Sequence, residues 1–349
     1  MLENQTDEFD LISQEAKFFE DMIVGSNSEM RKVLQSIAKL SKTDINVLIV
    51  GENGTGKELV AKAIHKNSPR KDQTFITFDC DSIEPKLMES ELFGHVKGAF
   101  PEALIDKKGL FEEADQSTLF IKEISNLSNE LQGKVLRAIE FNEFRPIGVS
   151  KINKADVRVV CSTKKNLEKM VSNNTFRSDL YYRICLTTIF VPTLRQRTED
   201  IPVLAKFLLE RSSKKLGKKV SKITNKAMGH LLSYPYPGNI RELEHIITQA
   251  LLNAEGSTIL VEHLPEKVRE HSESYDHQLQ DAFFNEIDLN NGFKELRKMF
   301  ERQLIGLYIK EADGNITRAA EQAGIERESF HRILKRLKFP KSRSKRSDQ

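Results

Sequence analysis

Hydrophobic positions along the chain fall into three regimes. Between about residues 21 and 195, short apolar runs alternate with amphipathic stretches: "INVLIV", "TFITF", "STLFI", "DVRVVCS" and "LTTIFV". Continuous apolar runs spaced by helical patterns predict buried strands joined by helices, an α/β layer with a mostly parallel sheet. From Glu199 to about Lys267 the pattern is all helical, in "IPVLAKFLLERSSKKLG", "NKAMGHLLSY" and "IRELEHIITQALLNA". Residues 268–291 are polar and without a clear period, and read as a linker. A helical pattern resumes at Phe293 and runs to Phe339. Its first helix carries an apolar stripe through Phe293, Leu296, Phe300, Leu304 and Leu307, suited either to core packing or to a dimer seam.

Beyond that stripe, "ADGN" reads as a turn and "ITRAAEQAG" as a short helix ended by Gly324. "ERESFHRILKRL" reads as a second helix. This is the pattern of a helix-turn-helix, whose second helix enters the DNA major groove. Thr317, Arg318, Arg327, Glu328, Ser329, His331, Arg332, Lys335 and Arg336 are the candidate contacts to double-stranded DNA. A small three-helix protein-interaction module is the other reading. The chain thus divides into a leader (1–20), an α/β unit (21–198), a helical unit (199–267), a linker (268–291), a helix-turn-helix (292–340) and a tail (341–349).

Charge sharpens this division. Net charge is only +3 over 349 residues, but it is uneven. From His331 to Ser347 there are eight Lys or Arg and no acid, whereas His271 to Asn290 holds five acids and no Lys or Arg. That asymmetry suits an acidic linker before a basic end that faces nucleic acid, or a solvated tail. The tail "KSRSKR" would add salt-sensitive affinity for DNA. No apolar run approaches membrane-spanning length, so no membrane partner is expected. Three cysteines, Cys80, Cys161 and Cys185, have no metal-ligand spacing and fit a reducing cytoplasm.

The candidate chemistry begins at "NVLIVGENGTGKE". A predicted strand leads into Gly51-x4-Gly56-Lys57 and then a helix. Glycines let backbone N–H groups converge on phosphates, Lys57 reaches their β/γ end, and the helix N-terminus adds its dipole. The loop residues Gly51, Glu52, Asn53, Gly54, Thr55, Gly56, Lys57 and Glu58 are therefore expected to hold ATP or ADP. A second apolar run, "STLFI", ends on Lys122-Glu123. In a phosphate-loop ATPase such a strand ordinarily ends on Asp-Glu, with the aspartate holding Mg²⁺. Here an ammonium stands in that place, which leaves Mg²⁺ open.

Five stretches together resemble a known family. "GENGTGKELVAKAIH", "ESELFGHVKGAF", "FRSDLYYRI", "LRQRTEDIP" and "PGNIRELEH" occur in the order and spacing of the AAA+ activators that work with sigma-54 RNA polymerase, the bacterial enhancer-binding proteins. The C-terminal helices resemble the family's Fis-type domain. This resemblance implies an AAA+ P-loop parallel sheet with an α-helical lid, followed by an all-α helix-turn-helix domain. It implies that Glu123 orients or deprotonates the attacking water and that Thr163 lies in the sensor I stretch. Arg177 and Arg183 would be arginine fingers reaching a neighbouring subunit, and Arg241 sensor II on the lid. Self-association as a dimer or hexameric ring is implied with them.

Four departures from the family pattern are expected to matter. Lys122 replaces the metal-binding aspartate, Lys164 replaces the sensor I asparagine, and Asp79 stands where the family has the asparagine that restrains the catalytic glutamate. The loop that touches sigma-54 reads Phe100-Pro101-Glu102 in place of Phe-Thr-Gly. Proline removes a backbone donor, and glutamate gives up the freedom of glycine. The expectation is a DNA-binding transcription regulator that binds nucleotide, hydrolyses it slowly or not at all, and acts without sigma-54. Lys122 would contact the phosphates or swing out to solvent, leaving Asp79 or Asp81 to hold the metal indirectly. Two other readings stay open: a working ATPase that activates sigma-54 polymerase, and a pseudo-ATPase that joins hetero-oligomers with an intact paralogue. RNA polymerase remains a possible partner on any of them. About 20 residues before the α/β unit are too few for a sensory domain, so control by expression, nucleotide or a partner protein is expected.

Overall fold

The computed structural model describes residues 27–271 and 301–337, except 303, 307, 310, 311, 313 and 314. The leader, most of the linker, the tail, and Phe293, Leu296, Phe300 and Leu307 of the apolar stripe lie outside the described residues.

Five strands form one parallel sheet: β1 (Val47–Val50), β2 (Phe75–Asp79), β3 (Thr118–Lys122), β4 (Arg158–Thr163) and β5 (Thr188–Phe190). The order across it is β2-β3-β4-β1-β5. Alternation along each strand divides the side chains between two cores. Leu48, Leu119, Ile121, Val159 and Cys161 join one buried cluster with Phe78, Phe111 and Leu180. Val47, Ile49, Phe120 and Val160 join the other, with Met30, Val33 and Ile37 of α1 (Ser28–Ser41) and Val60, Ala61 and Ile64 of α2 (Lys57–Lys66). Helices on both faces bury the central strands β1, β3 and β4 almost completely, and for that reason these read as unbroken apolar runs rather than alternating ones; the edge strands β2 and β5 keep Thr77 and Phe190 exposed.

Further helices of this layer are α3 (Asn129–Phe141) and α4 (Ser178–Ile184). The helical unit packs α5 (Ile201–Leu216), α6 (Asn225–Ser233) and α7 (Asn239–Asn253) around Leu204, Leu208, Tyr236, Leu243, Ile246 and Ile247. Its expected all-helical character is incomplete. Lys222–Ile223 and Thr258–Ile259 pair as a short parallel ladder, too brief to leave a periodic signal. Residues 266–271 are helical and Val268 is fully buried in the same core, so the packed unit continues past Lys267.

The C-terminal residues form a separate compact unit. Helix α8 (Ile316–Gln322) begins at Asn315, whose side chain accepts hydrogen bonds from the Thr317 and Arg318 N–H groups. Gly324, with φ +66°, makes the turn to α9 (Arg327–Arg336). Phe330, Ile305, Ala319, Ala320 and Leu337 fill the core. Ile305 rather than Leu304 points inward, and Leu304 is 37% exposed. That removes Leu304 from the core alternative of the apolar stripe.

Candidate functional site

The loop after β1 meets the carboxyl ends of β2, β3 and β4, the edge where open α/β sheets bind ligands. A cavity of about 280 Å³ opens there, lined by Asn53, Gly54, Gly56, Lys57, Glu58, Asp79, Asp81, Lys122, Glu123 and, from α7, Arg241. Gly54 and Gly56 have φ of +75° and +104°, the left-handed geometry the loop requires. Lys57 Nζ donates to the Gly51 and Glu52 carbonyls at 2.7 and 3.1 Å and lies 3.2 Å from Glu123 Oε1. Glu123 is nearly buried, takes φ +53°, and accepts from the Lys164 N–H at 3.0 Å. Its carboxylate is therefore held from two sides at the end of β3.

Lys122 neither swings out to solvent nor stands alone. Its Nζ lies 2.5 Å from Asp79 Oδ2 and 3.5 Å from Glu58 Oε2. Asp79 and Lys122 are direct partners in the β2–β3 register, so two departures that looked separate in sequence form one cross-strand ion pair. Burial opposes charge on both groups, yet their pairing wins. The Asp79 pKa is held below the ordinary carboxylate value, aided by Arg241, and the Lys122 pKa is held above that of a free lysine. Asp81, also in the cavity lining, approaches Lys164 Nζ at 3.5 Å.

Thr163 is fully buried outside the cavity lining, and its hydroxyl accepts from the Lys165 N–H at 3.0 Å. Arg177 and Arg183, on or beside α4, also lie outside it. Arg177 forms a two-point pair with Asp179, at 3.1 and 2.7 Å. Arg183 is exposed, with no ion pair among the described residues. Of the predicted residues, the cavity thus collects most of the phosphate loop with Lys122, Glu123 and Arg241, and leaves Thr163, Arg177 and Arg183 aside.

The loop's other side is fastened by residues that periodicity did not single out. Glu52 pairs with Arg195 at 2.5 Å and accepts from Asn239 Nδ2 at 3.2 Å. Asn239 also donates to the Asn53 carbonyl at 2.9 Å, and its Oδ1 accepts from the Leu194 N–H at 2.8 Å. The Ile240 N–H donates to the Gly54 carbonyl at 3.0 Å, and buried Arg197 donates to the Thr55 carbonyl at 3.1 Å. The signal was present in "LRQRTEDIP" and "PGNIRELEH", which supply all three side chains.

At the loop 98–103, the Gly98 N–H donates to the Ala103 carbonyl at 2.8 Å, closing a tight turn. Phe100 is half-buried. Its ring lies edge-on to His95 with centroids 4.9 Å apart, and Pro101 and Glu102 are exposed instead. Next to them Leu104 and Ile105 are 74% and 72% exposed.

On α9, Glu328, His331, Arg332 and Lys335 recur at helical spacing and are exposed opposite Phe330. Arg327, Thr317 and Arg318 are exposed as well. Ser329 is half-buried and accepts from Arg332 at 3.3 Å, and Arg336 is paired with Glu301 at 2.5 Å. Among the described residues no helix is long and apolar enough to cross a membrane.

Comparison with known proteins gives three successive family matches. Residues 23–190 match the Sigma-54 interaction domain, residues 195–281 the AAA+ ATPase lid domain, and residues 296–337 the bacterial regulatory protein Fis family. The chain is 37% identical over 360 residues to the regulatory protein LuxO of Vibrio cholerae, covering 98% of this chain and 67% of that protein. It is 39% identical over 316 residues to the transcriptional regulatory protein ZraR of Salmonella typhimurium, covering 90% and 68%. To the formate hydrogenlyase transcriptional activator FhlA of Escherichia coli it is 37% identical, covering 92% of this chain but 45% of the relative. The chain thus spans from under half to about two thirds of these relatives. A crystal structure of NtrX from Brucella abortus in complex with ATP superposes with a TM-score of 0.65 at 31% identity, covering 96% of this chain and 73% of that one.

Proposed function

The chain belongs to the sigma-54-interacting AAA+ regulators of the bacterial enhancer-binding type, and from that membership we propose that it is a DNA-binding transcription regulator that binds ATP or ADP. It hydrolyses nucleotide weakly or not at all and acts without sigma-54. The observation that carries this reading is the Lys122–Asp79 ion pair at the strand ends where the family pattern has a metal-binding aspartate. In-line phosphoryl transfer relies on a metal that bridges the β- and γ-oxygens, and an ammonium cannot act as that template. Nucleotide occupancy is supported by the formed phosphate loop and by likeness to NtrX solved with ATP and with ADP. DNA binding is supported by the Fis-family match and the exposed face of α9. Independence from sigma-54 is supported by the packing of Phe100 against His95 and by Pro101-Glu102 in the contact loop. Self-association as a dimer or ring is supported by Arg177 and Arg183, which lie outside their own chain's cavity, where arginine fingers acting on a neighbour would lie.

The test is phosphate release by the purified protein with ATP and Mg²⁺, beside binding of the same nucleotide. Binding without turnover is the expected result, and turnover at the rate of an AAA+ activator would overturn it. A second reading, an ATPase that activates sigma-54 polymerase, is favoured by the match across residues 23–190. Open-complex formation by sigma-54 polymerase on addition of this protein and ATP would establish it over the first.

A further inference from the structure

The family pattern implies Mg²⁺ in the nucleotide cavity, and the donor set does not fit one. Magnesium seeks octahedral oxygen ligands, usually one or two carboxylates plus phosphate oxygens and waters. Four carboxylates line the cavity, and each already faces an ammonium: Asp79 and Glu58 that of Lys122 at 2.5 and 3.5 Å, Glu123 that of Lys57 at 3.2 Å and Asp81 that of Lys164 at 3.5 Å. A divalent ion placed among them would meet a fixed positive charge in a cleft where screening is weak. Among the described residues no three His, Cys, Asp or Glu side chains converge as a metal cage.

The same geometry suits a different arrangement. Lys122 is only partly buried and lines the cavity together with Lys57, Gly54, Gly56 and Arg241. Asp79 and Glu58 hold its ammonium at the cavity wall. We infer that Lys122, clamped by Asp79 and Glu58, is a built-in cation, and that the pocket takes a nucleoside di- or triphosphate without a divalent metal. This rests on the nucleotide-binding reading proposed above and specifies the ligand as the metal-free polyphosphate. Three cations would then face the phosphates: Lys57 from the loop, Lys122 from the sheet and Arg241 from the lid. A lysine is a compact ammonium with three rotatable donors, so it can keep Asp79 while turning a second N–H to a phosphate oxygen.

The experiment measures ATP and ADP affinity of the full chain by calorimetry, once in excess EDTA and once in excess MgCl₂. Equal affinity in the two buffers is expected. Lys122→Met should bind about tenfold more weakly in EDTA than the unaltered protein. A double variant, Lys122→Asp with Asp79→Asn, should bind only when Mg²⁺ is present. Circular dichroism confirms that each variant is folded, and the buffer comparison on the unaltered protein stands without them. A gain of about tenfold or more on adding Mg²⁺ to the unaltered protein would overturn the inference. So would full affinity of Lys122→Met in EDTA. Absence of nucleotide binding in both buffers would instead sink the nucleotide reading itself, and this inference with it.

Discussion

Replacing Asn239 by alanine should uncouple the phosphate loop from the helices that cover it. Asn239 is completely buried, sits at φ +54°, and makes three side-chain hydrogen bonds, to Leu194 N–H, the Asn53 carbonyl and Glu52. Glu52 keeps Arg195, so its loss is small. The Asn53 carbonyl belongs to an exposed residue and can turn to water, but the buried Leu194 N–H loses its partner, and an unsatisfied buried group costs about 1–3 kcal/mol. Alanine in the left-handed region adds about 1 kcal/mol, which asparagine largely avoids. The sum is about 2–4 kcal/mol, borne locally where α7 meets the loop. Native-state hydrogen exchange of the Leu194 amide reads this directly, because local opening is measured without assuming that the whole chain unfolds in one step. Asn239→Gly supplies the control. It loses the same hydrogen bonds but not the backbone preference, so it should be less damaging than Asn239→Ala, the reverse of the usual helix ranking. A loss below about 1 kcal/mol for the alanine variant, or a worse result for glycine, would refute the account.

Other outcomes follow from the same contacts. Gly54→Ala should abolish nucleotide binding, since a Cβ there would lie 2.2 Å from the Gly238 carbonyl oxygen at φ +75°; retained affinity by calorimetry would contradict this. Phe330→Ala should destabilise the C-terminal unit by about 3–5 kcal/mol and abolish DNA binding in a mobility-shift assay. Lys335→Ala should weaken binding to all DNA sequences alike and lower the salt slope by about one phosphate contact, whereas Arg332→Ala should also relax preference at one base if Arg332 reads guanine. The fourth concerns pH. Burial works against the Glu242 carboxylate, but Lys267, the Gly238 N–H and the Tyr234 hydroxyl outweigh it and hold its pKa below the ordinary value. A depressed carboxylate stabilises above its unfolded pKa and loses that contribution as pH falls through the folded one. Glu242→Gln should therefore lower thermal stability near pH 7, and the gap to the unaltered protein should close below about pH 4.

Sequence and structure agree most where burial is two-sided. The central strands were visible because helices cover both faces, so their middle positions, 47–49, 119–121 and 159–161, form short unbroken apolar runs. The ladder of Lys222–Ile223 with Thr258–Ile259 was invisible because two residues carry no period. Within the pocket, Lys122 and Asp79 were each recognisable as departures, but their pairing was not. It depends on β2 lying beside β3 in a particular register, a fact of topology that neither residue encodes. Asn239, Arg195 and Arg197 stood in plain view within quoted motifs. Their task, gripping the backbone of a loop far away in sequence, follows only from how the lid packs. Phe100 shows the opposite case: the chain retains the aromatic residue, but its ring packs against His95 and leaves Pro101 and Glu102 as the exposed residues.

The ion pair between β2 and β3 also constrains what the lineage can become. Returning position 122 alone to aspartate would bring a third carboxylate beside Asp79 and Glu58 and remove the ammonium they share, leaving Glu58 only Lys62. Returning position 79 alone to asparagine would leave the ammonium with Glu58 as its one remaining counter-charge. Each single reversion passes through a worse electrostatic state than either end point, so the two substitutions are epistatic. The pair therefore behaves as a ratchet: neither position can be exchanged alone without leaving a charge in the cleft short of its partner.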